Sequence, residues 1–268
     1  MLKDVTLGQF FPGNTVVHKL DPRSKLILVI IYIVALFSAK TYAAYALVLL
    51  ALIACVSLSR IRFTTMMKGV KPILIVICIT GILNLFFTQG DHVIFRVWKL
   101  TVTWEGVRTA VLMIVCLIML INGTFLLTYT TSPIALTDGL ELLLNPLKKL
   151  RFPVHELAMM MSIALRFIPT LIEETDKIMS AQKARGADFD TGGIVQRAKA
   201  MLPLLVPLFV SAFRRADELS IAMESRCYHG GEGRTRMKKL TLARRDLVAL
   251  ILGAVVLAGV FALNRVWK

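Results

Sequence analysis

Residues 107–127 read VRTAVLMIVCLIMLINGTFLL, a run of 21 residues whose one charge is Arg108 near its start. As a helix it covers about 30 Å, the thickness of a bilayer's hydrocarbon core. A helix that is apolar all round has no face to offer water, so the run reads as a membrane span. Working outward, four further charge-free runs appear: Leu26–Ala39, Tyr42–Leu58, Pro72–Phe87 and Leu247–Leu263. Several are short for a span, but Lys25 and Lys40 are placed to snorkel to the interfaces around the first. A polar leader containing Pro12, Gly13, Asp21 and Pro22 precedes that first run, which therefore does not read as a signal peptide.

The composition agrees with these spans. The 268 residues are 56% hydrophobic and 18% charged, with a mean hydropathy of +0.70. A soluble domain carries roughly 45–50% apolar and about 25% charged residues. A small soluble enzyme and a disordered chain are excluded. The expected fold is an all-α integral membrane protein with about five transmembrane helices and a cytoplasmic region of long amphipathic helices. A net charge of +15 would suggest nucleic acid in a soluble protein. In a membrane protein it reads as Lys and Arg collected in cytoplasmic loops, and no nucleic-acid partner is expected.

Loop charges then set the orientation. The loop Ser59–Lys71 holds Arg60, Arg62, Lys68 and Lys71 with no acid, and Tyr129–Leu242 holds sixteen Lys/Arg and twelve acids. The opposite segments are poorer: Lys40 alone, then Thr88–Gly106 with Arg96 and Lys99 against Asp91 and Glu105. Five spans with a cytoplasmic amino terminus place every basic loop on one side. The expected organisation is a four-span membrane part over 1–128, a cytoplasmic region over 129–242 and a last span within 243–268. Two apolar stretches, Leu157–Ile172 and Met201–Phe213, would raise the count to seven. Arg166 interrupts the first, and Pro203 and Pro207 lie in the second, so both read as helices outside the bilayer.

Within 129–242, Ser132 and Pro133 mark a helix start, and Leu136, Leu140, Leu143, Leu144 and Leu147 line one face up to a break at Asn145-Pro146. A long helix is expected from Val154 to Ala184, its apolar stripe formed by Leu157, Met160, Met161, Ala164, Leu165, Ile168, Leu171 and Ile172. Another is expected from Ile194 to Tyr228, bent at its prolines. Their ends resemble each other: Asp176, Ala181 and Arg185 recur as Asp217, Ala222 and Arg226 at the same offsets. Ala184 and Gly186 flank the first arginine, Ser225 and Cys227 the second. Small neighbours leave a guanidinium free to enter a pocket and pair with carboxylates. Taken alone, such an arginine is equally a cation that complements the helix dipole.

Other chemistry finds no support. His155-Glu156 opens a zinc-protease-like string, but Met159 stands where the second histidine belongs. The glycine-rich stretches at 186–193 and 230–233 lack the Gly-Lys-Ser/Thr ending of a phosphate loop. The four cysteines form no Cys-x-x-Cys pair and read as buried thiols. No cofactor or metal is expected. No carboxylate interrupts the five spans, which argues against an ion-coupled carrier. An intramembrane lipid-modifying enzyme would have to draw on Asp188, Asp190 and His229, which lie at the helix ends.

The segments Gly8-Gln-Phe-Phe-Pro-Gly13 and His18-Lys-Leu-Asp-Pro-Arg-Ser-Lys25, with Ala184-Arg185-Gly186 and Ser225-Arg226-Cys227, resemble the transmembrane (T) component of energy-coupling factor transporters, the EcfT family. The resemblance covers essentially the whole chain. It implies a non-catalytic scaffold in the bacterial plasma membrane that joins two ATP-binding ATPase subunits to an interchangeable, membrane-embedded S component for uptake of vitamins or similar micronutrients. Ala184, Arg185, Gly186, Ser225, Arg226 and Cys227 would then be the ATPase-coupling residues. A T component dedicated to metal-ion uptake is the alternative within the same family.

Overall fold

A computed structural model of the chain describes residues 10–88, 93–97, 100–187, 189, 193–230 and 240–266. Its helices are α1 (Pro22–Ser38), α2 (Tyr42–Ser59), α3 (Phe63–Val70), α4 (Leu74–Phe87), α5 (Trp104–Thr130), α6 (Pro133–Leu144), α7 (Val154–Ala184), α8 (Ile194–Glu224) and α9 (Arg244–Val266). Short 3₁₀ turns at Lys71–Ile73 and Asn145–Leu150 follow α3 and α6. Between α4 and α5 lies an antiparallel pair of short strands, β1 (Val93–Val97) and β2 (Leu100–Thr103), with Val97 opposite Leu100 and Phe95 opposite Val102. Among the described residues the regular structure is otherwise helical.

The chain divides into two compact units. One combines Gly8–Leu140 with Leu240–Lys268. Three of its helices, α1, α2 and α5, start on side-chain caps: Asp21 accepts the Arg23 amide at 2.9 Å, Thr41 that of Ala44 at 3.3 Å, and Thr103 that of Gly106 at 3.1 Å. Each cap satisfies an amide the first helical turn leaves without a partner. The core joins Ala35 and Leu36 of α1, Ala44, Val48 and Leu52 of α2, Cys116 and Met119 of α5, and Val260 of α9. Small residues allow the close approach on which lipid-embedded helices depend. A Cβ on Gly123 would run into the Tyr32 ring, whose hydroxyl donates to the Met119 carbonyl at 2.8 Å. Outward-facing positions are apolar too: Ile30, Phe37, Ile75 and Leu252 are all more than half exposed, as a lipid-facing surface demands. Of the cysteines, Cys116 alone is buried, so the expectation of uniformly buried thiols is corrected. A weakly polar thiol on a helix surface costs little against lipid.

The other unit, drawn from Glu141–Lys239, contains α7 and α8. Each is 31 residues long, about 46 Å. α7 runs through Pro169 and α8 through Pro203 and Pro207, so none of the three ends its helix. The two helices pack on each other; most apolar side chains of α7 are partly buried, while most of those described on α8 stay exposed, including Phe209 at 61% and Phe213 at 68%.

Among the described residues, five helical segments are long and apolar enough to cross a membrane: Tyr42–Ser59, Phe63–Phe87, Trp104–Thr130, Val154–Ala184 and Arg244–Val266. The number equals the expected one but the set differs. α1, at 17 residues, sits at the lower limit for a span, while α7 enters because its charges cluster in its second half.

Candidate coupling site at the ends of two long helices

α7 closes on a six-residue hydrogen-bonded turn. The Gly186 amide donates to the Lys183 carbonyl at 3.0 Å and the Ala187 amide to that of Gln182 at 3.0 Å, with Gly186 left-handed at φ +87°. This is the Schellman ending, in which the residue after the C-cap turns left-handed and the next two amides bond back into the last turn. Arg185 is the C-cap residue.

α8 ends the same way. The Cys227 amide donates to Glu224 at 2.8 Å and the Tyr228 amide to Met223 at 3.1 Å, with Cys227 at φ +55°. Arg226 therefore stands one residue before the left-handed position, as Arg185 does. The alignment of Ser225-Arg226-Cys227 with Ala184-Arg185-Gly186 holds in the pair of hydrogen bonds that closes each turn and in the left-handed residue after each arginine. All six residues are exposed. Among the described residues neither guanidinium is engaged in an ion pair. Asp188 and Asp190 lie outside the described residues. His229 is described and exposed, in the segment just after the second turn. His155, from the zinc-like string, instead faces Glu141, with Nδ1 and Oε1 3.0 Å apart.

Residues 13–237 match the CbiQ family, described as a cobalt transport protein. The chain is 52% identical over 268 residues to the energy-coupling factor transporter transmembrane protein EcfT of Clostridium kluyveri, covering all of this chain and 99% of that one. It is 49% identical over 265 residues to EcfT of Bacillus subtilis, covering 99% and 100%. With EcfT of Lactococcus lactis it shares 43% over 250 residues, covering 93% and 94%. The chain belongs to the EcfT family.

In this EcfT-family chain the amino-terminal signature is a structural knot. His18 Nε2 lies 3.1 Å from the Phe11 carbonyl and Nδ1 lies 2.6 Å from the Thr15 hydroxyl. Burial and the neighbouring Lys25 charge lower the His18 pKa, which favours the neutral ring. It donates from Nε2 and accepts the Thr15 hydroxyl at Nδ1. A Cβ on Gly13 would meet the same ring at 2.9 Å. Lys25, 5% exposed, points its ammonium at the Thr130 carbonyl (2.8 Å), the Thr131 hydroxyl (3.1 Å) and the His18 carbonyl (3.3 Å), one acceptor for each proton. Arg23 grips the Asp21 carboxylate at 3.2 Å and the Leu240 carbonyl at 2.7 Å. Asp246, fully buried at the start of α9, accepts the Asp21 amide at 2.7 Å and the Ala243 amide at 2.7 Å. The segment Leu20–Lys25 thus ties the start of α1 to the end of α5 and the start of α9. Gly8 and Gln9 of the signature lie outside the described residues.

Sequence reasoning missed one contact within the helix pair. Glu174 of α7 accepts from the Ser211 hydroxyl and from Arg215 Nη2, the latter at 2.7 Å, both on α8. A signal for it was present: Glu174 and Arg215 stand 41 residues apart, the same offset that relates Arg185 to Arg226.

Proposed function

We propose that this chain is the scaffold that joins two ATP-binding ATPase subunits to a membrane-embedded S component in ATP-driven uptake of vitamins or similar micronutrients. ATP is hydrolysed by the partners; this subunit contributes mechanical linkage. The observation that carries the reading is the pair of matching helix ends, each presenting an exposed arginine from the same turn. Two similar ends fit two similar partners, and a planar guanidinium fits a carboxylate-lined groove. Ala184, Gly186, Ser225 and Cys227 keep the approach to each arginine open. The exposed apolar side chains of α7 and α8, Met160, Phe209 and Phe213 among them, support a second docking surface, one that meets the apolar S component. Apolar area of this kind signals a partner or a bilayer.

The proposed placement keeps residues 129–242 and the amino terminus in the cytoplasm of a bacterial cell, with α1 as the fifth span in place of α7. The loop charges support it, as do Glu174, Asp176, Lys177 and Lys183 on α7, which lipid would strongly disfavour. A second reading, a T component serving metal-ion uptake, is favoured by the cobalt-transport description of the matching family. The EcfT names of the relatives favour the shared module. Affinity purification of the tagged chain from its native membrane tests the choice. Recovery of two ATPases with several different small membrane proteins supports the shared scaffold. Recovery of one dedicated metal-binding partner favours the second reading, and recovery of no ATPase overturns both.

A further inference from the structure

We infer that Glu174, Ser211 and Arg215 form the pivot about which α7 and α8 turn, and that this clamp sets the separation of Arg185 and Arg226. The carboxylate of Glu174 receives the Ser211 hydroxyl at one oxygen and Arg215 Nη2 at the other, 2.7 Å away. Ser211 and Arg215 are one helical turn apart on α8, so they present a single face to Glu174. The side chains are mostly shielded, 23% exposed for Glu174 and 29% for Arg215, which spares the ion pair much of the solvent screening that weakens surface pairs.

Two features make this contact a pivot rather than one bridge among several. Glu174 and Arg215 are equivalents within the repeat, separated by the same 41 residues that separate Asp176 from Asp217, Ala181 from Ala222 and Arg185 from Arg226. In a two-fold arrangement, a residue that meets its own equivalent lies on the axis. Here the two carry opposite charge, so the repeat's two halves attract at that point. Each arginine, moreover, lies eleven residues beyond its half of the clamp, three helical turns and about 17 Å. The arms are equal. Turning the helices by about 20° at the clamp changes the separation of the arm ends by up to about 6 Å. The apolar grip of α8 on α7 is limited, since most apolar side chains of α8 among the described residues are exposed. Orientation therefore rests on the polar contact, whose energy depends on direction as apolar contact does not.

The link from this pivot to transport rests on the proposed docking of the two arginines, but the pivot itself is read without it. Spin labels at Lys183 and Glu224, equivalent exposed positions outside the arginine motifs, report the separation of the arms. The full chain, cysteine-free and labelled, is reconstituted in lipid nanodiscs, and the distance distribution is recorded by pulsed electron resonance. The unmodified clamp should give one narrow distance. E174Q, which keeps the shape and removes the charge, should shift or widen the distribution by several ångström, as should R215Q. The charge exchange E174R/R215E should narrow it again. Unchanged distributions in both single variants, or failure of the exchange to narrow them, would overturn the pivot. In the assembled transporter, E174Q should keep its ATPases yet transport at least about fivefold less per ATP, the lower end of an allosteric coupling. Loss of the ATPases from E174Q would mean that the clamp maintains assembly and does not transmit motion. If R185A/R226A still binds ATPase, the docking proposal fails while the label distances keep their meaning.

Discussion

Cys227 occupies, at the end of α8, the left-handed backbone position that Gly186 occupies at the end of α7, with φ of +55° and +87°. Glycine enters that region freely, whereas an L side chain pays roughly 1–2 kcal/mol. The second turn holds its shape despite the side chain because two amides, those of Cys227 and Tyr228, bond back into the last turn.

This difference gives opposite outcomes for exchanges at the two positions. Gly186→Ala should loosen the α7 turn by about 1 kcal/mol and Cys227→Gly should tighten the α8 turn by a similar amount. Hydrogen exchange at the Ala187 and Tyr228 amides reads both, as about fivefold faster and slower exchange respectively. Equal exchange in all forms would show that neither turn depends on its left-handed residue.

Arg185→Ala or Arg226→Ala should each weaken recovery of the ATPases while leaving some assembly, because the other arm still holds. A buried charge-assisted contact broken from one side costs about 2–5 kcal/mol. The double variant should lose far more than either single, since avidity is gone. Lysine at either place should also impair transport, an ammonium being unable to form the planar fork. Full transport by the double alanine form would leave both arginines as helix-end charges alone.

Single cysteines at Leu150, before α7, and at Val195, in its successor, decide whether α7 crosses the membrane. Both positions are exposed. An impermeant thiol reagent added to right-side-out cells should reach neither, and after the cells are opened it should label both. Labelling of one from each side would make α7 a span and reverse the assignment of everything after it.

Asp246→Ala should destabilise the membrane unit by about 2–4 kcal/mol, because the Asp21 and Ala243 amides each lose a charged acceptor in a buried setting. Asp246→Asn should cost less, since its carbonyl oxygen keeps one of the two bonds. Thermal unfolding of the purified chain in detergent gives the order. A smaller loss for alanine than for asparagine would contradict the role assigned to the carboxylate.

The spans were legible because lipid allows few solutions. A run such as 107–127 must form a helix, and its backbone has no other means of satisfying its polar groups there. The bounds of α7 were equally readable, from the stripe that begins after Pro153 and the glycine at 186. The repeat pointed to both arginines. What sequence could not give was which of α1 and α7 is the better span, because a 17-residue apolar helix and a 31-residue partly charged one are separated by packing and partners rather than composition. The buried Lys25 and Asp246 were also opaque. Each is satisfied by residues more than 100 positions away, Thr130 in one case and Asp21 in the other.

The sequence by itself determined that the chain is a helical membrane protein and that two long helices end alike. Those properties follow from local hydropathy and from residue order, neither of which needs distant contacts. Only the tertiary structure decided that Cys227 turns left-handed as Gly186 does and that Glu174 meets its own repeat equivalent across the helix pair. A turn's handedness is set by backbone torsion, and a crossing point by where two surfaces fit. Neither is written in the identity of any single residue.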